Sequence, residues 1–342
     1  MRKIDYEIVI GLEVHVELKT KTKLGCGCST KFGAEPNTQV CPVCLGMPGS
    51  LPLLNKKAVE LAIITALGLN CTIADQCRFD RKQYFYPDLP KGYQITQFYQ
   101  PMGRDGWLEI DDGDRQRRIT ITRIHLEEEA GRTYHSSGKP KASYSLLDYN
   151  RSGIPLLEIV TAPELHSPQE ARRFLEELKG LLEYLEVSDG KMEEGSFRCD
   201  ANLSLHRPGD KLGKRVELKN LNSFRAMEAA LDFEVQRQRE LLVKGQPLTR
   251  EEARTWVEEQ RSTVFMRFKE EAAEYRYFPD PELPLLTIDQ RWVESLRLGL
   301  PELPAEKRNR FRRVYCLSAV EALFLCRSKA EAAFFEAVLR SY

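Results

Sequence analysis

Residues 7–18 read EIVIGLEVHVEL, and this stretch decides the fold. Ile8, Ile10, Leu12, Val14, Val16 and Leu18 are apolar, while Glu13, His15 and Glu17 occupy intervening positions. Such alternation has the two-residue period of a half-buried β-strand. On a helix Glu13 and His15 would be turned about 200° apart, but on a strand they point the same way. One face therefore enters a core, and the other lines up carboxylate, imidazole and carboxylate on a rigid element. Oxygen and nitrogen donors at that spacing suit a divalent cation or acid–base chemistry. The alternative is an edge strand with a solvated outer face.

The 342-residue chain exceeds one typical core, which predicts two or three domains. Its formal net charge is zero, so any nucleic-acid contact must come from local patches. No apolar run approaches the roughly 18–20 residues of a membrane span, and no membrane contact is expected. The first strand begins close to Met1, leaving no room for a secretory leader. Nine cysteines, odd in number and clustered, argue against a disulfide framework, so the expected setting is a reducing cytoplasm.

Cys26-x-Cys28 is followed after twelve residues by Cys41-Pro-Val-Cys44. Two close thiol pairs joined by a loop with Gly33, Pro36 and Asn37 are the arrangement of a closed, structural tetrathiolate Zn²⁺ site. The alternative is four free thiols or a labile disulfide. Residues 55–67 then predict a helix capped by Asn55, with Ala58, Leu61, Ala62 and Ala66 as its buried stripe. Residues 79–98 interleave Tyr84, Phe85, Tyr86, Tyr93 and Phe98 with Arg81, Lys82 and Lys91. That composition suits stacking on a base while holding a phosphate, or equally rings packed on a sheet.

Residues 119–129, ITITRIHLEEE, begin as a strand whose alternation breaks down. Arg123, His125 and Glu127 share one parity and Ile124, Leu126 and Glu128 the other, so a bulge is expected and the inward-facing glutamate stays open. Residues 147–160, LDYNRSGIPLLEIV, contain a turn at Gly153 and a strand over 156–160. This run resembles the signature of the B subunit family of the aspartyl/glutamyl-tRNA(Asn/Gln) amidotransferases. So do IGLEVHVELK (10–19), FGAEPN (32–37), residues 79–98, HLEEEAG (125–131), KMEEGSFRCDAN (191–202), ELKNLNSF (217–224) and YRYFP (275–279). The motifs occur in order over about residues 5–310.

The resemblance implies an α+β fold, a mainly antiparallel sheet cradle with packed helices and a glutamine-synthetase-like catalytic core. It implies ATP-dependent phosphorylation of the side-chain carboxylate of misacylated Glu-tRNA(Gln) or Asp-tRNA(Asn). Ammonia from a partner amidase subunit, held with a small third subunit in a heterotrimer, then displaces the phosphate. ATP and Mg²⁺ are the implied cofactors, and the Cys26/Cys28/Cys41/Cys44 set is similar to that of zinc-bearing members. The sequence is consistent with this in lacking a G-x-x-x-x-G-K-[ST] loop, so metal ions and basic side chains must hold the phosphates. It also lacks a recognisable Ser-Ser-Lys amidase core.

The second half continues the pattern. Ser167-Pro168-Gln169-Glu170 reads as a capping box, and Phe174, Leu175, Leu178, Leu181, Leu182 and Leu185 form the stripe of the helix after it. Residues 193–206 are expected to be a strand with Phe197, Cys199, Ala201, Leu203 and Leu205 in a core. Glu194 and Asp200 then share the other face with Arg198 between them. Acids on two strand faces converging on a groove make a Mg²⁺ site that bridges nucleotide phosphates. By position or resemblance, Glu13, His15, Glu128, Glu194 and Asp200 are the expected Mg²⁺ neighbours. Residues 214–220 predict a strand carrying Arg215, Glu217 and Lys219, with Lys219 and Arg198 as phosphate ligands or Lys219 as a plain surface lysine. A helix capped by Asn222 or Ser223 ends near Gly245. Arg276, within Tyr-Arg-Tyr-Phe-Pro, is the expected cation for the transferring phosphoryl group, or else a contact to tRNA phosphate.

Two units are expected: residues 1–290 as the cradle kinase domain with its zinc loop at 26–44, and 291–342 as the beginning of a helical domain. The latter carries ten Lys/Arg against six Asp/Glu, with KRNRFRR at 307–313 as its densest basic run. That run is expected to be exposed, as a tRNA contact or a solvated helix face. The resemblance implies a longer helical region followed by a tail domain, so these 342 residues are expected to stop within the helical region. A ligase acting on a free amino acid and a non-catalytic tRNA-binding subunit are the competing functions.

Overall fold

A computed structural model describes residues 6–112, 115–135, 144–268 and 272–341. Its strands are β1 (Glu7–Glu17), β2 (Thr72–Ile73), β3 (Gln76–Gln83), β4 (Tyr93–Gln100), β5 (Gly103–Asp112), β6 (Arg115–Glu128), β7 (Arg132–His135) and β8 (Ser145–Asp148). They continue as β9 (Pro155–Thr161), β10 (Phe197–His206), β11 (Val216–Lys219), β12 (Glu252–Val257), β13 (Ser262–Phe268), β14 (Phe278–Pro279) and β15 (Leu286–Thr287). The helices are α1 (Lys56–Gly68), α2 (Pro168–Tyr184), α3 (Phe224–Val243), α4 (Gln290–Leu298), α5 (Pro304–Val314), α6 (Ala319–Leu325) and α7 (Lys329–Ser341).

Nine of these strands form one sheet in the order β13-β12-β11-β10-β1-β9-β6-β5-β2, which puts β1 at its centre. Its pairings are antiparallel except for the parallel β11–β12 pair. The apolar parity of β1 explains the layering: Ile10, Leu12, Val14 and Val16 are buried in the main core. Helices cover that face, with α1 packed on β5 and β6, α2 on β5, and α3 on β10. Each starts where a side chain replaces a missing backbone partner. Asn55 accepts from the Lys57 and Ala58 amides and donates to the Thr22 and Lys23 carbonyls. Ser167 accepts from the Glu170 amide and Ser223 from that of Ala226. The Glu170 carboxylate accepts from the His166 amide and from Arg117, both at 2.8 Å, so it does not close the expected reciprocal box on the cap residue.

The alternation of β6 reverses midway. Ile119 and Ile121 are buried before a register shift between Ile121 and Arg123, and Ile124 and Leu126 after it. The bulge turns Arg123, His125 and Glu127 onto the polar face of the sheet. Where β5 ends its pairing at Gly103↔Ile124, β4 takes over through side chains. Gln97 accepts from the Leu126 amide at 3.0 Å, and Gln94 donates to the Glu128 carbonyl at 2.6 Å. A second sheet of β14, β3, β15 and β4 is thereby fastened beside β6. The strand expected over 193–206 begins only at Phe197, because Gly195 (φ 84°) has the left-handed backbone of a turn.

The last helices build a small core of their own from Phe311, Ala322, Cys326 and Ala332. The basic run at 307–313 is mostly engaged there. Lys307 and Arg310 pair with Glu302 and Glu336, Arg308 pairs with Glu177, and Arg312 and Arg313 remain exposed.

Leu12 is 1% exposed at the sheet centre, so Leu12→Ala is expected to cost about 2–5 kcal/mol of unfolding free energy. Loss of the α1 cap in Asn55→Ala is expected to cost about 1 kcal/mol. Urea unfolding monitored by circular dichroism measures both, and the larger loss must belong to Leu12→Ala.

Candidate functional site

Strand register builds the site. On β9, Glu158 lies directly opposite His125 of β6 and His15 of β1, and His15 lies opposite Arg198 of β10. Four polar side chains thus form one row across four adjacent strands, at the roughly 4.8 Å inter-strand spacing of a sheet. Glu127 lies two residues along from His125 on the same face, and Glu13 two residues along from His15 and opposite Asp200.

The row is tightly engaged. His125 Nε2 is 3.2 Å from Glu158 and 3.8 Å from Glu127, while His15 Nε2 is 3.6 Å from Glu158 and 3.5 Å from Glu127. One donor atom each from His15, Glu127 and Glu158 lies within 4.8 Å of the other two. Burial works against charge on His15, yet the hydrogen bond to Glu158 and the fields of Glu158 and Glu127 raise its pKa to about 9. His125 is shifted upward against the same burial cost, chiefly by Glu158. Burial alone would raise the Glu158 carboxyl, but the two imidazoles hold it well below the usual carboxylate range. The Nδ1 of His125 is buried and has no hydrogen-bond partner among the described residues.

A cavity opens over this row, lined by Glu13, Asp200, Glu217, Lys219, Lys82, Arg123, Arg267, Phe98, Tyr275 and Tyr277 among others. Lys219 Nζ bridges Asp200 at 2.6 Å and Glu217 at 3.4 Å. Lys82 lies over the rings of Tyr275 and Tyr84, at 5.0 and 5.8 Å from their centroids. Its burial disfavours charge, but the fields of Glu127, Tyr277 and Glu158 raise its pKa, so it remains an ammonium. Tyr277 stacks on Phe98 with centroids 3.9 Å apart, and burial pushes its hydroxyl up to about 12. The second sheet and the 275–277 segment therefore wall one side of the cavity.

The residues singled out in the sequence fall into three groups. Glu13, His15, Asp200 and Lys219 meet in this cavity, and Glu13 accepts from Asn202 at 2.9 Å. Arg198 stands at the end of the row but is ion-paired to the buried Glu129. The other three lie apart from the cavity lining. Glu128 has the opposite parity to Glu127 and pairs with Lys91 in a separate cavity that also contains Arg81, Tyr93 and Glu282. Glu194 sits in the turn before β10, bound to Lys191 at 2.7 Å. Arg276 is exposed, with φ 44°, between two tyrosines that do line the cavity. Sequence reasoning missed Glu158 and His125 as site residues, and it named Lys82 only as one of three bases suited to a phosphate in residues 79–98. A lone acid within the apolar run PLLEIVT was a signal, because a charge in a buried strand requires a partner.

Away from this row, the Sγ atoms of Cys26, Cys28, Cys41 and Cys44 lie within 4.8 Å of one another. The fully buried Lys23 reaches 3.6 Å from Cys44 Sγ, which also accepts from the Cys41 amide at 3.2 Å. A hydrogen bond from Cys26 leads the causes that hold the Cys44 thiol far below its ordinary pKa, with Lys23 among the others. The surroundings thus favour thiolate at Cys44, while the hydrogen bond to Cys44 with burial raises the Cys26 thiol and burial raises that of Cys28.

Residues 8–294 match the family model described as GatB/GatE catalytic domain. The chain is 51% identical over 339 residues to the B subunit of the aspartyl/glutamyl-tRNA(Asn/Gln) amidotransferase of Carboxydothermus hydrogenoformans, covering 99% of this chain and 70% of that protein. It is 50% identical over 340 residues to the protein of the same name from Moorella thermoacetica, covering 99% and 71%. The like-named protein of Caldanaerobacter subterraneus is 52% identical over 338 residues, covering 98% of this chain and 70% of its own length. With the match running from the central strand through all the elements that carry the polar row, the chain belongs to the GatB/GatE catalytic domain family.

Proposed function

We propose that this protein is the ATP-dependent activating subunit of a tRNA amidotransferase. It phosphorylates the side-chain carboxylate of Glu-tRNA(Gln) or Asp-tRNA(Asn), and ammonia delivered from a partner amidase subunit converts the product to Gln-tRNA(Gln) or Asn-tRNA(Asn). The observation that carries this reading is the row His125–Glu158–His15 closed by Glu127, set in a cavity with both acidic and cationic walls. The names of the relatives support the tRNA substrate and the multisubunit setting. The proposed assembly is completed by a small third subunit. The open polar face of a mainly antiparallel sheet supports a glutamine-synthetase-like cradle. On this reading the described residues up to 290 are this cradle and the described residues from 291 on are the beginning of a helical region, with the cytoplasm as the working location.

The donor set of two carboxylates and one imidazole fits a divalent cation, with Mg²⁺ as the ion that accompanies ATP. His15, Glu127 and Glu158 would hold it, with Glu13 and Asp200 beside them. When bound, the ion screens the repulsion between the carboxylate and the γ-phosphate, both of which are anionic. A substrate carboxylate oxygen forms a bond to the γ-phosphorus as the bridge to ADP breaks. Ammonia then forms the C–N bond, phosphate leaves, and the nitrogen gives up a proton. Lys82 and Lys219 direct ammonium groups toward the space where phosphoryl charge develops. The aromatic wall of Phe98, Tyr275 and Tyr277 excludes water that would hydrolyse an acyl phosphate. Arg276 lies outside this lining, so a contact to tRNA phosphate suits it better than a role at the reacting phosphoryl group.

The four cysteines fit Zn²⁺ as a structural ion, since Lys23 and the Cys41 amide supply positive partners for a tetrathiolate. The loop they hold is stitched to the end of β8 and the residues that follow it. The Asn37 amide donates to Asp148, the Tyr149 amide to Asn37, and the Gln39 amide to Asn150.

Glu127→Gln removes one charge at nearly constant shape. ATP-dependent phosphate release on misacylated tRNA by the reconstituted complex should fall about 10²–10³-fold, as for loss of an electrostatic contribution of about 3–4 kcal/mol. Glutaminase activity, carried by the partner, should keep its basal level. A near-normal rate of phosphate release would refute the assignment.

Metal analysis should find one zinc per chain, and Cys26→Ser should lose it together with thermal stability. A folded, zinc-free protein with four titratable thiols at these positions would overturn the structural-metal assignment.

A further inference from the structure

The polar face of β1 continues past His15 to Glu17, and a second cavity lies there. One wall is the loop of residues 26–44, which contributes Thr30, Lys31, Phe32 and Gln39. The other comes from Arg132 and Tyr134 on β7, from Asp148 at the end of β8, and from Asn150 and Arg151 after it. We propose that this cavity seats the unpaired 3′ end of a nucleic acid, with Arg132 and Arg151 on a phosphodiester and Phe32 and Tyr134 stacked on bases. The inference rests on the proposed function, because the acyl group sits on that 3′ end and its carboxylate must reach the adjoining row.

Three features favour this occupant. Phe32 and Tyr134 are 57% and 49% exposed at the rim, where a base can reach their faces. Arg132 is held in place, with its guanidinium over Phe32 at 5.4 Å and a hydrogen bond of 3.0 Å to the Glu194 carbonyl. No carboxylate pairs with it among the described residues. Arg151 is fixed by the Ala130 and Gly131 carbonyls at 3.0 and 2.9 Å, and lies 3.7 Å from Glu129. An aromatic rim over immobilised guanidiniums is the arrangement that tracks a single strand by stacking and backbone charge.

Charge separates this occupant from ATP. The lining cations Lys31, Arg132 and Arg151 exceed the lining carboxylates Glu17 and Asp148 by one. One surplus charge matches a phosphodiester, whereas a polyphosphate needs a divalent cation. The donor set for that ion belongs to the neighbouring cavity. ATP and the nucleic-acid end thus approach the row from different cavities on one sheet face.

The test is fluorescence anisotropy of the full chain with two labelled RNA hairpins, one with an unpaired 3′ tail and one cut flush. The tail should tighten binding about tenfold, within the range that base–aromatic stacking supplies. Phe32→Ala and Arg132→Gln should each remove most of that gain while leaving the flush hairpin unaffected. Arg132→Gln should also lower the salt dependence of tailed binding by about one counterion. Phe32 is exposed, so its truncation leaves the fold intact, and glutamine keeps a donor for the Glu194 carbonyl. The proposal is overturned if the tail gives no gain or if the gain survives both variants. It is also overturned if these variants weaken ATP with Mg²⁺ and not the tailed hairpin. Phosphate release in the Glu127→Gln complex judges the proposed function separately, so either idea can fail alone.

Discussion

The pairing of one buried and one half-buried imidazole with a buried carboxylate across β6, β9 and β1 is the constraint on which the rest depends. Charges taken out of water need close partners, and here the partners sit on three different strands. The row therefore tolerates only one register among them. The apolar parity of β1 enforces that register, since a slip by one residue would drive Glu13 and His15 into the core and Val14 and Val16 onto the polar face. Packing energy from one face thus fixes the electrostatic geometry of the other.

Buried ion pairs are weak sources of stability, because desolvation consumes most of the attraction. A concentration of them on one face of a central sheet is better understood as pre-organisation for a charged ligand. The cationic side chains fit that view. Lys219 is tethered between Asp200 and Glu217, and Lys82 is held by aromatic rings above the acidic row. The second sheet serves the same end. By lending Gln94 and Gln97 to the free backbone of β6, it brings Lys82, Thr96 and Phe98 over the row.

The cysteine-bearing loop is joined to this plan from the far end of β1. Lys23 links it to the Tyr149 carbonyl at 3.2 Å, and the Asn37–Asp148–Asn150 contacts tie its tip to the segment before β9. Fixing the four thiols therefore also fixes Lys31 and Phe32 beside Glu17.

The sequence by itself determined the first strand, its buried face and the parity of Glu13 and His15, because a two-residue period is a local property that every residue of β1 reports, whereas its place at the sheet centre came from the tertiary pairing. It determined the helix starts at Asn55 and Ser167, and narrowed the third to Asn222 or Ser223, for the same reason, since a cap needs only the next few residues. Four close thiols were legible from spacing alone. Only the tertiary structure decided between Glu127 and Glu128, because the choice turns on a bulge near residue 122 that the partner strand defines. It alone revealed Glu158, which is set in an otherwise largely apolar strand, and it alone singled out Lys82 from Arg81 and Lys91, since its neighbours Tyr275 and Tyr277 lie nearly two hundred residues away in the chain. Glu194 and Arg276 went the other way: nearby motif residues do line cavities, but a left-handed Gly195 and a turn at Arg276 carry these side chains aside. Local periodicity states which way a side chain points, and cross-strand register states what it meets.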